Sequence, residues 1–72
     1  MSPIDSAELE KRFTYHPPKD NQPVRYVKIR DHAHDLAVTI TSLTPTSREQ
    51  SLALTALEEA VFWANAAIAR NE

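Results

Sequence analysis

Apolar residues recur along the chain at helical rather than strand spacing. Tyr26, Ile29, Ala33, Leu36, Ile40 and Leu43 follow one another at intervals of 3, 4, 3, 4 and 3, which places them on one stripe of a helix over 23–43, opening near Pro23. Thr39 and Thr41, beside Val38 and Ile40, raise strand propensity locally, but the stripe runs through them and favours the helix. Leu43-Thr44-Pro45 ends it, because proline disfavours helical backbone in the residue before it. A second stripe of Leu54, Leu57, Val61, Ala64 and Ile68 predicts a helix over 46–70, opened by a capping box of Thr46 and Glu49. Near the start, Ser2 reads as an N-cap, with Pro3 in the first helical position and Asp5 and Glu8 at the positive end of the dipole. This gives a short helix within 1–13, ending at Phe13. Residues 14–22 contain Pro17-Pro18 and form a stiff, extended loop. Two long helices joined by so short a turn must run antiparallel. The expected fold is all-α, a single domain over 1–72: an antiparallel helical hairpin plus a short N-terminal helix.

Size then changes the picture. A chain of 72 residues buries only about 60% of its unfolded surface, so a lone core is marginal. With no cysteine to form disulfides or thiolate zinc sites, self-assembly is the natural remaining source of stability, and a compact homo-oligomer is expected. Alanines at 53, 56, 60, 64, 66, 67 and 69 allow close helix approach. Phe62 and Trp63 cannot both share the inner stripe with Val61, so at least one is expected at an interface. The longest uncharged stretches, Leu36 to Ser47 and Ala60 to Ala69, are shorter than the roughly 20 apolar residues of a membrane span. No basic start followed by an apolar stretch suggests a secretory signal.

The absence of glycine excludes a phosphate-cradling loop, a nucleophile elbow and a dinucleotide fingerprint, all of which need positive φ or close backbone approach. Charge is very unevenly placed. Lys11 to Arg30 holds six of the eight basic residues and one acid, Asp20, giving +5; the remainder holds two basic residues and nine acids, giving −7; together they make the net −2. The basic stretch also contains Phe13, Tyr15, His16 and Tyr26. Cations pair with phosphate and flat rings stack on bases, so a nucleotide-sized anion suits this segment better than a long duplex. A solvated basic face balancing an acidic one within an oligomer is the plainer alternative.

At about 100° per residue, Arg25, Lys28 and His32 lie on one flank of the second helix and Arg30 and His34 on the other, with Tyr26 between Arg30 and the stripe. Lys28 and Arg30 are then too far apart to serve one pocket within a subunit. The run Asp31-His32-Ala33-His34-Asp35 does not make a metal site, because the two histidines point about 200° apart. Ser47, Ser51 and Thr55 lack an orienting base, and no catalysis is expected. A helix-turn-helix reading fails on charge, since the third helix carries only Arg48 and Arg70 as cations against four acids. A helical protein-interaction module acting through Phe62 and Trp63 stays open.

Several blocks together resemble the phage anti-CBASS sponge family, whose hairpin domain is shared with anti-Thoeris sponges. They are Arg12-Phe13-Thr14-Tyr15-His16-Pro17-Pro18-Lys19, Gln22-Pro23 with Arg25-Tyr26, and Ser47-Arg48-Glu49-Gln50-Ser51-Leu52-Ala53-Leu54-Thr55. Leu57-Glu58-Glu59-Ala60-Val61 and Trp63-Ala64-Asn65-Ala66-Ala67-Ile68-Ala69-Arg70 complete the set. The resemblance spans Arg12 to Glu72. It implies a homohexamer in the cytoplasm of the infected bacterial host that sequesters cyclic dinucleotides such as cGAMP, and cyclic trinucleotides in separate pockets, without cleaving them and without a cofactor. By similarity, Tyr15 stacks on a base and Arg30, or else Lys28, meets a phosphate, with Arg12, His16 and Tyr26 nearby. Arg70 lines the trinucleotide pocket.

Overall fold

Three helices account for most of the described residues. A computed structural model describes residues 5–72, in the order α1 (Ser6–Phe13), α2 (Gln22–Leu43) and α3 (Arg48–Asn71), with no strand among the described residues. Asp5, not Ser2, caps α1: its backbone is extended and its carboxylate accepts the Glu8 N–H at 2.9 Å. Ser2 and Pro3, where the sequence places the cap and first helical position, lie outside the described residues, within which α1 begins at Ser6 after extended backbone at Asp5. Glu8 in the first turn and Lys11 and Arg12 in the last complement the dipole, and Arg12 Nε donates to Glu8 Oε1 at 3.0 Å.

The strand-prone stretch of α2 is helical, and its hydroxyls bond back to the helix's own carbonyls. Thr39, Thr41 and Ser42 donate to the carbonyls of Asp35, Val38 and Val38 at 3.1, 3.0 and 2.7 Å. Thr44 is extended before Pro45 and closes the helix through its N–H and hydroxyl, both on the Ile40 carbonyl. The cap of α3 is one residue later than expected. Ser47 Oγ, not Thr46, accepts the N–H of Gln50, and Gln50 rather than Glu49 reaches back, its amide donating to the Thr44 carbonyl and hydroxyl. The two helices are thereby tied across their own turn.

α2 and α3 have 22 and 24 residues, about 33 and 36 Å, so their far ends fall level. Leu54, Leu57, Val61, Ala64 and Ile68 all face inward on α3, as the stripe requires. On α2 the inner face is turned slightly: Ile29, Ala33, Ala37 and Ile40 are half-buried, Leu36 lies at the margin, and Leu43 is 78% exposed beyond the seam. No hydrophobic residue among those described is fully buried; Gln22, 3% exposed, is the one buried side chain. The outline measures 46 × 34 × 15 Å, one helix layer thick. The radius of gyration is 15.8 Å, against about 11 Å for a globular chain of this length. A single subunit is an uncovered plate.

α3 reaches the length and apolar content of a membrane-spanning helix even though no uncharged stretch is that long. Glu58 and Glu59 stand near its middle, where each carboxylate would cost about 2.5–3.5 kcal/mol at the centre of a bilayer. One face of the helix is already engaged by α2. Both features fit a hairpin helix.

With no glycine available, the turn into α2 places Asp20 at φ 53°. Aspartate tolerates this left-handed backbone, whereas a β-branched residue does not. Asp20→Ile should lower stability by about 1–2 kcal/mol in denaturant melts while Asp20→Gly changes it little; equal melts for all three chains would mean the turn readily adopts another backbone.

Candidate ligand-binding site

The proline loop is fastened at both ends. On one side the His16 ring lies with Nε2 2.7 Å from the Lys11 carbonyl oxygen, which requires Nε2 to carry the proton. On the other side Lys19 and Gln22 bond twice: the Lys19 N–H donates to Gln22 Oε1 at 3.1 Å and the Gln22 N–H to the Lys19 carbonyl at 2.9 Å. Lys19 Nζ also donates to the main-chain oxygen of Glu72 at 2.6 Å. Arg25 grips the Glu72 carboxylate through both terminal nitrogens, Nη1 donating to Oε2 at 2.9 Å and Nη2 to Oε1. Arg25 is therefore committed to closing the open end of the hairpin and is not a free flank cation. This bond, with help from Gln22, holds the Glu72 carboxyl below the ordinary carboxylate value, against a smaller opposing effect of desolvation. The stabilisation is present above the ordinary value and is lost as pH falls through the lowered one.

Immediately before the His16 tie stands Tyr15, 80% exposed. Two prolines follow one residue later, so its ring is carried on stiff backbone. It is an aromatic platform left largely uncovered by the described residues.

Cations gather between α1 and α3. Lys11, Arg12 and Phe13 meet Trp63, Arg70 and Asn71 around a cavity of about 500 Å³, in the size range of small-molecule sites. Three cations face one carboxylate, Glu8, which already pairs with Arg12. The fold thus sets Arg12 beside Arg70, although the family resemblance implies different ligands for them. Lys11 joins them unforeseen: the two helices are too far apart in sequence for any local pattern to signal the meeting.

Arg30 lies elsewhere, in an open groove of about 590 Å³ along one face of the α2–α3 seam, with His34, Glu58, Phe62 and Asn65. Asn65 Oδ1 is buried there without a hydrogen-bond partner. His32 lines a smaller groove of about 290 Å³ on the opposite face. The two histidines diverge as their spacing requires, and among the described residues no three His, Asp or Glu groups converge as metal ligands. Lys28 is exposed one turn before His32, away from Arg30; Tyr26 is half-buried at the start of α2. Within one chain, then, Tyr15, Arg30 and Arg12 do not share a cavity among the described residues. Phe62 and Trp63 are 61% and 60% exposed, their rings edge to face at 5.3 Å.

The match to known families covers the hairpin and also α1, which the sequence resemblance had left out: the Acb2/Tad1 hairpin domain matches residues 5–69. No curated protein and no solved structure matches the chain. All-helical architecture, a hairpin held at both ends and a family match over nearly its full length lead to one assignment. The chain belongs to the Acb2/Tad1 hairpin-domain family, the sponges that counter CBASS and Thoeris defence.

Proposed function

We propose that the protein is a homo-oligomeric sponge, a hexamer by family likeness, that captures cyclic dinucleotides such as cGAMP in the cytoplasm of the infected bacterium and so keeps CBASS effectors switched off. It binds the messenger without cleaving it. The observation that carries this function is the exposed Tyr15 ring on a loop fastened at both ends. A flat, pre-ordered ring is suited to stacking on a base with little entropy left to lose. The phosphate partner comes from another surface: Arg30, with Lys28 as the other choice, shares no cavity with Tyr15 among the described residues of one chain, and a seam between subunits can bring them together. His16, engaged with Lys11, acts mainly in shaping the loop, while Tyr26 and Arg12 border the basic region.

A sponge works by stoichiometry, so slow release matters more than fast capture. Recovery of intact cGAMP from the denatured complex is expected; linear products would identify an enzyme. The Arg70 cavity is assigned to cyclic trinucleotides. Arg70→Ala should weaken cyclic tri-AMP binding roughly tenfold, about one charge-assisted hydrogen bond, and spare cGAMP in calorimetry. Equal loss of both ligands would contradict separate pockets.

The exposure of the Phe62–Trp63 pair supports a second reading, a module that docks on another protein. It predicts a protein partner and no thermal shift with any cyclic nucleotide.

A further inference from the structure

The open end of the hairpin carries more polar machinery than its closure needs. Gln22, the one buried side chain among the described residues, holds the Lys19 N–H, while Lys19 and Arg25 both reach Glu72 at the far end of α3. From Lys19 the chain runs back through Pro18 and Pro17 to His16, itself tied to Lys11, and then to Tyr15. Four peptide bonds separate the clamp from the platform, and prolines occupy the middle of that stretch. The prolines fix φ at two of the intervening residues, so the placement of Lys19 restricts where His16 and Tyr15 can lie.

We propose that Glu72 is a positioning residue for the Tyr15 platform: by fastening Lys19 and Arg25 to the end of α3, it holds the proline loop in the form that receives a cyclic dinucleotide. Glu72 touches no ligand in this role. The proposal rests on the sponge function above and adds to it the part played by the far end of α3, which supplies the anchor while the loop supplies the ring. Bidentate geometry makes Arg25 the firm partner, and the Lys19 ammonium adds a second point of attachment on the loop itself. Without the Glu72 carboxylate, Arg25 returns to solvent and Lys19 keeps only a main-chain oxygen on a helix end no longer tied to α2, so the loop must be ordered when ligand arrives.

The test is a double-mutant cycle on the full chain, with cGAMP as the calorimetric probe. Glu72→Ala should weaken binding about tenfold, the scale of re-ordering one or two side chains on association, with particle size unchanged by light scattering. In a Tyr15→Ala background the same change should have no further effect, because there is no platform left to position. The exchanged pair Arg25→Glu/Glu72→Arg should recover affinity. In ligand-free protein, amide exchange at Lys19 and Gln22 should quicken in Glu72→Ala. An equal loss in both backgrounds would reduce Glu72 to a general structural role and overturn the proposal. Wild-type binding with undiminished Glu72→Ala affinity also overturns it, whereas failure of the wild type itself to bind overturns the sponge function.

Discussion

Tyr15→Ala should cost the protein roughly five- to 150-fold in cGAMP affinity, the range spanned by about 1–3 kcal/mol per stacked base. The ring is 80% exposed, so its removal forfeits little packing. Light scattering should accordingly report the same particle, and the thermal midpoint without ligand should stay within about a degree or two of wild type, as for other exposed sites. Tyr15→Phe keeps the flat face and should keep most of the affinity. The loss should appear as faster release rather than slower capture, since stacking acts after encounter. Unchanged affinity in Tyr15→Ala would place the base-binding surface elsewhere.

Trp63→Asp should break the assembly. No hydrophobic residue described in the single chain is fully buried, and Phe62 and Trp63 offer adjoining, exposed rings on α3. If those rings are covered by another copy, a carboxylate at 63 must be desolvated without a partner, at a cost on the order of 3–5 kcal/mol. The variant should sediment as a smaller species, with reduced helical circular dichroism at micromolar concentration. Wild type should show a thermal midpoint that rises with protein concentration, as expected where folding and association are linked. A Trp63→Asp chain of wild-type size and melting point would instead leave this face free for a different protein, as the second reading requires.

The helices were legible because α3 carries an unbroken 3–4 spacing whose every member turns inward. α2 was legible as a helix but less so in its facing. It is apolar on more than one side, with Val24, Val27, Leu36 and Val38 all well exposed, so Ala37 could displace Leu36 from the seam without leaving a trace in the pattern. The α3 cap was ambiguous for a local reason: Thr46 with Glu49 and Ser47 with Gln50 both satisfy the capping pattern, and the bond from Gln50 back to Thr44 decides between them. The platform at Tyr15 could be read from the chain because ring and prolines are neighbours. The meeting of Lys11, Arg12 and Arg70 could not, nor could the capture of Arg25 by Glu72, because each depends on how long two helices are relative to one another.

The plate is a single helix deep, and its two broad sides are not separate surfaces. Ala33, Leu57 and Val61 line the groove on the Arg30 side and the groove on the His32 side alike. A methyl group added or lost at any of these positions reshapes front and back together. Evolution of one side toward a new guest therefore carries the other side with it, and drift is confined to substitutions that both can accept.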